Sequence, residues 1–426
     1  MNTELKNNKL LILSGGALMC QVVRAAKEMG IYTIVTDMYT DHSTSPAKLI
    51  ADEAWDISWN DTALLAEHCR AAEVNGVFTG FSEFCVVAAR RLCDALGLPF
   101  YATMDQINIT RDKAKFKALC EKNHVNVVDH FEMGKGIKFP VVVKPTDNAG
   151  SRGISVCYDE LELKAGIEKA LSFSDAKTFV LEPFMDGPEI NVSYTIQDGV
   201  ISLSCMSDAQ AGAQKHGFIK LTDGWIFPSR YLKEYVEQCD SNIKQMLKSI
   251  GVRNGFLFIT GFYDKPDFRI FEMGYRLGGG TTYNFISYNN EINYMKMMIA
   301  HSLTGNMQGW DVRKNDDPFF KKPCCNLTVM ARPGKIGHVG DIKALRRLDG
   351  ILSVDQFYHE SDEIPDSGAL NQTFARVNIV AKNPEQLADR IDKTYELIDL
   401  RDERGEDMLL SRLQHEKIAH YWDDCV

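Results

Sequence analysis

No run of apolar residues in this chain approaches the roughly 18 that a membrane-spanning helix requires, so no membrane span is expected. The opening stretch MNTELKNNKLLILSGG has too short an apolar run for the core of a signal peptide and no cleavage-like site. An excess of basic charge is also missing: 48 Lys and Arg stand against 58 Asp and Glu, a net charge of −10, which argues against a general nucleic-acid binder. It says little about a small anionic ligand, which a local pocket can meet. The 11 cysteines lie singly except for Cys324 and Cys325, and none shows CxxC or Cys/His zinc spacing. Reduced, mostly buried thiols in a cytoplasmic protein are the expectation.

Several catalytic signatures are absent as well. GxxxxGK[ST] does not occur, which excludes a P-loop. A Gly15-Gly16 turn follows a strand and Asp37 ends the next one, in outline a dinucleotide fingerprint, but the residues after Gly16 are Ala17, Leu18, Met19 and Cys20. Without GxGxxG the stretch reads as a tight strand-to-helix turn, and a dehydrogenase is disfavoured. No Ser/His/Asp or Cys/His array calls for a side-chain nucleophile.

What is present is a change of grammar along 426 residues, long enough for two or three domains. Up to about residue 105, apolar strands (10–14, 31–37, 75–80) alternate with helical patterns (83–97), the mark of a parallel sheet covered on both faces. A helix start is expected in 104–125, with Thr110 or Asp112 as its N-cap. From 131 to 275 paired strands dominate, and Asp198-Gly199 between alternating apolar runs is a strong hairpin signal. The polar stretch 307–323 reads as a linker to a third, smaller α+β unit. The expected fold class is therefore α/β and α+β, divided at 1–105, 106–305 and 306–426.

Chemistry concentrates in the centre. Lys113 lies early in a helix, and Lys144 ends an apolar strand just before the small-residue loop 146–153. A lysine at a buried strand end is costly unless an anion answers it, and that anion can be a ligand phosphate or a neighbouring carboxylate. Small loop residues let backbone N–H groups approach phosphate oxygens. In VLEPFMDGPEIN (180–191), Pro183 breaks the strand after Glu182, leaving a connector whose backbone can meet a purine edge, while Glu189 suits ribose hydroxyls. Glu272 ends another apolar strand, followed by Arg276 and three glycines, a pattern suited to a metal and an anion or to an internal ion pair.

This order, Lys–Lys–Gly loop–Glu-Pro–Glu–strand-end Glu–Arg, resembles the ATP-grasp superfamily, most closely its amino-acid-ligase and carbamoyl-phosphate synthetase branch. The resemblance implies an ATP-grasp architecture: a Rossmann-like pre-grasp domain, antiparallel α+β grasp subdomains and a C-terminal α+β domain. It implies ATP and Mg2+ as cofactors, with Lys113 and Lys144 on the phosphates and the loop around Ser151 and Gly153 closing over them. Glu182 and Met185 would hold adenine through backbone atoms, Glu189 the ribose, Glu272 the magnesium, and Arg276 the developing oxyanion. The implied reaction is ADP-forming ligation of a small-molecule carboxylate to an amine through an acyl phosphate, in the cytoplasm, by an enzyme that is habitually a homodimer. Two alternatives stand beside it: a nucleotide-binding protein with a degraded metal site, and a bicarbonate-phosphorylating enzyme. Two departures motivate the first. Gly274 replaces the Asn of the family's Glu-x-Asn, and only Thr260 offers oxygen where a second ligand is expected, with Asp264 as a nearby substitute. Lys215, His216 and Arg230 in the stretch 207–232, and more remotely Arg332 and His338, are candidate substrate contacts.

Overall fold

The computed structural model of the chain describes residues 5–134, 136–147, 152–212, 216–217 and 221–423. Strands Lys9–Leu13, Tyr32–Thr36, Glu53–Trp55 and Gly76–Phe78 form a parallel sheet, with Lys9–Leu13 between Tyr32–Thr36 and Gly76–Phe78. The unbroken apolar run Leu10–Leu13 follows from burial on both faces. Leu10 and Ile12 pack on helix Met19–Glu28 and on the helices Tyr283–Asn290 and Tyr294–Thr304, whereas Leu11 and Leu13 pack on helices Thr62–Ala71 and Glu83–Leu96. At the glycine turn the Gly15 N–H donates to Asp37 Oδ2 at 2.9 Å, and a Cβ on Gly15 would fall 1.9 Å from Ser45 Oγ. Asp37 thus secures the turn, and its side chain also accepts from the Met38 N–H.

Beyond this unit the backbone becomes antiparallel. The expected helix near 104–125 is two helices, Met104–Arg111 and Lys113–Lys122. Thr103 and Gln106 form a capping box on the first, and Asp112 accepts from the Ala114 and Lys115 N–H groups to start the second. Strand Val141–Pro145 lies between Ser155–Cys157 and Phe179–Pro183, backed by helix Glu160–Phe173. The Asp198-Gly199 hairpin is present, with φ of 50° and 81° at the two turn residues. It joins Glu189–Gln197 to Val200–Ala211 inside an eight-stranded sheet.

That sheet runs on, without interruption, into Cys324–Met330, Thr373–Val380 and Ile351–Gln356. The stretch 307–323 is correspondingly not a free linker. Gln197 Nε2 donates to the Met307 and Trp310 carbonyls at 2.8 and 2.7 Å, its Oε1 accepts the Val312 N–H, and Met307, Val312 and Phe320 are buried. Among the described residues no helix is long and apolar enough to cross a membrane.

One buried titratable group in this framework gives a direct test. Burial pushes His301, in the helix Tyr294–Thr304, down to about 4 from 6.5, with Asp198 opposing the shift. The folded chain then stays neutral at His301 while the unfolded chain takes up a proton as pH falls below 6.5. Stability is therefore expected to drop between pH 6.5 and about 4, by roughly 2–3 kcal/mol at pH 4.5. Urea midpoints of the wild type and His301→Gln at pH 7.5 and 4.5 check this, the variant losing less on acidification.

Candidate active site

A cavity of about 460 Å³ lies between the three-stranded sheet and one end of the eight-stranded sheet. Six residues singled out from the sequence line it: Lys113, Lys144, Glu182, Met185, Glu189 and Glu272. They come from six separate segments. Lys113 opens its helix, Lys144 and Glu182 sit near the ends of paired antiparallel strands, Met185 lies in the connector after Pro183, Glu272 sits near the end of strand Asp267–Gly274, and Glu189 begins its strand. Strand alternation aims the last group correctly. Ile190, Val192 and Tyr194 enter the core against helices Lys113–Lys122 and Asp240–Ser249, which leaves Glu189 and Asn191 on the opposite face.

The anion that answers Lys144 at rest belongs to the protein. Glu182 is 2% exposed and accepts from Lys144 Nζ through Oε2 and from Lys117 Nζ through Oε1, both at 2.6 Å. Burial would raise this carboxyl, but Lys144 and Lys117 together hold it below the usual carboxylate range. Lys117, not anticipated from the sequence, lies one helical turn beyond Lys113, and that spacing was the available signal. Its ammonium also donates to the Val128 carbonyl at 2.8 Å. Burial lowers Lys113, and the charge of Glu272 opposes that shift. Lys144 Nζ also stands 4.7 Å from the centre of the Phe271 ring.

A second charged group faces this lysine floor. Burial first, then repulsion from Glu272, lifts Glu189 to about 7, with Lys144 opposing. Glu272 pairs across the sheet with Thr260, and Thr260 pairs with Asn191, whose Nδ2 donates to Thr260 Oγ1 at 3.2 Å. Asn191 was also missed, although it follows Glu189 with the period of two that places both on one strand face. Asp264 is excluded as a substitute ligand: it lies at the hairpin end opposite Asp267, four residues beyond Thr260, and pairs with Arg269 at 2.7 Å. Gly274 has a steric reason, since a Cβ there would come within 2.4 Å of the Phe258 ring on the neighbouring strand. No larger residue enters position 274 unless Phe258 moves.

Arg276 lies elsewhere. Its Nε meets Glu83 Oε1 at 2.6 Å, Nη1 donates to the Leu277 carbonyl, and the guanidinium stacks 5.1 Å from Phe258; it is not part of the cavity lining. The pair ties the segment after Glu272 to helix Glu83–Leu96. Gly153 has φ of 77° and sits against Phe173, with Arg152 and Ile154 beside it lining the cavity. Ser151 and Lys215 lie outside the described residues. His216 bonds Glu162 at 2.7 Å and stacks on Tyr158, away from the cavity lining. Arg332 borders a separate groove, and His338 stands between Glu360 and Asp399, whereas Arg230 lines the cavity.

The donor set fits a magnesium nucleotide. Lys113 and Lys144 line the cavity as cations that can meet phosphate oxygens, while Lys117 shares the buried carboxylate of Glu182 with Lys144. Glu189 and Glu272 repel one another, and a divalent cation held by Glu272 with the oxygens of Thr260 and Asn191 would relieve that repulsion. Val142, Ile154, Phe184 and Met185 supply an apolar wall for a flat base.

Comparison with known proteins agrees with this fold. The family described as D-ala D-ala ligase C-terminus matches residues 95–221. The 2-oxoglutarate carboxylase small subunit of Hydrogenobacter thermophilus is 30% identical over 206 residues, 42% of this chain and 43% of that protein. The chain thus spans less than half the length of the curated relatives it matches first. Among solved structures, the L-amino acid ligase from Bacillus licheniformis superposes with a TM-score of 0.76 at 16% identity, covering 92% of this chain and 98% of the other. The biotin carboxylase domain of the Hydrogenobacter thermophilus 2-oxoglutarate carboxylase, a dimer solved with MgADP and bicarbonate, gives 0.75 at 18% identity and covers 98% and 97%.

Proposed function

From the premise that this chain has the ATP-grasp fold, we propose that it is an ATP-dependent, ADP-forming ligase that activates a carboxylate and joins it to an amine, an amino acid or similar small molecule. The observation that carries the reading is the convergence of Lys113, Lys144, Glu182, Met185, Glu189 and Glu272 on one cavity. In the proposed reaction a substrate carboxylate oxygen bonds to the γ-phosphorus and ADP leaves. The amine nitrogen then bonds to the acyl carbon, phosphate leaves, and the nitrogen loses a proton. Lys113 and Lys144 hold the phosphate oxygens, the connector at Met185 meets the base, and Glu189 accepts from the ribose. Magnesium, held by Glu272, Thr260 and Asn191, supplies neutralisation of phosphoryl charge. The loop that includes Gly153 excludes water. Arg276, paired with Glu83 outside the cavity lining, anchors the segment that follows Glu272 in this reading.

ATP and magnesium in the cytoplasm are the proposed setting, and a homodimer the proposed assembly. A second reading, phosphorylation of bicarbonate, is favoured by the similarity to a biotin carboxylase domain.

The first test needs no substrate. A non-hydrolysable ATP analogue at about a hundred times its dissociation constant stabilises the chain by roughly 2.7 kcal/mol, and magnesium enlarges the thermal shift. A shift indifferent to magnesium would favour a nucleotide binder with a degraded metal site, and no shift would remove the nucleotide reading. Bicarbonate-dependent ADP release without an amine would select the second reading.

A further inference from the structure

The end of the cavity formed by the eight-stranded sheet carries its own charged device. Strand Thr222–Phe227 stops at Pro228, which has no N–H to continue the ladder, and the chain folds around the carboxylate of Asp208. Asp208 is 1% exposed. Its Oδ1 accepts from the Ser229 hydroxyl, and its Oδ2 accepts from the Arg230 N–H at 2.9 Å and from Tyr421 Oη at 2.7 Å. Tyr421 arrives from the far end of the chain, and its hydroxyl also accepts from Gln210 Nε2 at 3.1 Å.

These bonds occupy the carboxylate without clamping the guanidinium. Arg230 Nε is 3.9 Å from Asp208 Oδ2, beyond hydrogen-bond range, and is buried without a hydrogen-bond partner. The guanidinium carbon stands over the Tyr421 ring, 4.5 Å from its centre, and 5.5 Å from the centre of the Tyr231 ring, and the residue lines the cavity with Gln210, Thr222 and Trp225. Its charge is balanced at a distance, Nη2 reaches only the Tyr231 hydroxyl at 3.4 Å, and the Nε donor is left unused. A planar, delocalised cation in that state matches a carboxylate, which it can take with two parallel bonds. The phosphates have a separate set of cations, Lys113 and Lys144, contributed by a helix and by the three-stranded sheet.

We propose that Arg230 recognises a substrate carboxylate that the reaction leaves intact, and that Asp208 and Tyr421 are its positioning residues. The inference rests on the ligase reading and narrows its substrates. One of the two joined molecules bears a carboxylate that is never activated: an amino acid serving as the amine, or a dicarboxylic acid serving as the donor. Neutral amines paired with monocarboxylic acids are excluded.

Calorimetric titration of the chain loaded with magnesium and a non-hydrolysable ATP analogue tests this, using the L-amino acids, succinate and glutarate, each beside its amide. The wild type should bind at least one acid about 100-fold more tightly than its amide. Preference among amino acids would identify the amine substrate, and preference for succinate or glutarate the donor. Arg230→Gln should remove most of that preference, and Arg230→Lys should restore part of it, both with nucleotide affinity unchanged. Tyr421→Phe, which keeps the stacked ring, should weaken the acid and leave the amide as it was. Equal binding of acids and amides, no binding of any acid while the nucleotide binds, or weaker nucleotide binding in Arg230→Gln would overturn the proposal and leave the ligase reading intact. Failure of the wild type to bind the nucleotide would overturn the ligase reading, and this proposal with it.

Discussion

Replacing Glu182 with glutamine should destabilise the protein by about 3–5 kcal/mol, the usual result of removing one partner from a buried ion pair. The mutation conserves shape and strands charge. Two ammonium groups, on side chains 7% and 12% exposed, would face a neutral amide whose oxygen can accept from one of them, whose NH2 opposes the other, and which neutralises neither charge. They belong to different elements, Lys117 to its helix and Lys144 to the strand that pairs with Phe179–Pro183. The melting temperature should fall on the order of 10 °C. Lys117→Met alone should cost less, because Lys144 still pairs with Glu182. The double variant should be more stable than the sum of the single losses, since Lys117→Met removes one of the stranded cations. Urea midpoints for the four proteins measure this coupling. A loss below 1 kcal/mol in Glu182→Gln would mean that solvent screens the triad and that Glu182 does not tie helix to sheet.

The same triad shows how far local reasoning reaches. A cation at the end of an apolar strand announces a compensating anion, and the sequence offered ligand or carboxylate without choosing. The segment KAKFKALCEK holds Lys113, Lys115, Lys117 and Lys122. Only the packed helix, with Phe116, Lys117 and Cys120 turned inward, selects the lysine that reaches Glu182. Period two along 189–192 was legible and places Glu189 on the face opposite the core, yet its value depends on the neighbouring strand. The register shift between Thr260 and Gly261 sets Thr260 against Glu272, and periodicity carries no trace of it. Arg276 and Glu83 are 193 residues apart, so their pairing lies beyond any spacing rule. Beyond the expected boundary at 306 the eight-stranded sheet continues, and the segment in between is tied to it. Polar composition in 307–323 reads as solvent exposure, whereas part of its backbone hydrogen bonding is to Gln197. Local signals identified elements and charged ends, and long-range pairing decided which of those ends share a cavity.

Neutralising Glu272 tests the chemistry of the site most sharply. In the ligase reading, Glu272→Gln should lower substrate-dependent ADP release by about 100- to 1,000-fold, the range for losing one electrostatic contributor to a charged transition state. The fold should survive, because Glu272 is a cavity residue whose removal relieves repulsion with Glu189. Two further readouts separate loss of the cation from damage to the nucleotide pocket. Without magnesium, the variant should bind an ATP analogue at least as tightly as the wild type, since one carboxylate no longer opposes the phosphates; with magnesium, the gain seen in the wild type should vanish. The pH dependence should move as well. Burial and Glu272 together hold Glu189 near 7, so removing the Glu272 charge lowers the Glu189 pKa and leaves that group ionised at a more acidic pH. Any step in magnesium-free nucleotide affinity that follows Glu189 should therefore shift to lower pH in the variant. Wild-type turnover in Glu272→Gln, with magnesium dependence intact, would place the cation elsewhere and return the pair Glu189 and Glu272 to an electrostatic role toward Lys113 and Lys144 alone.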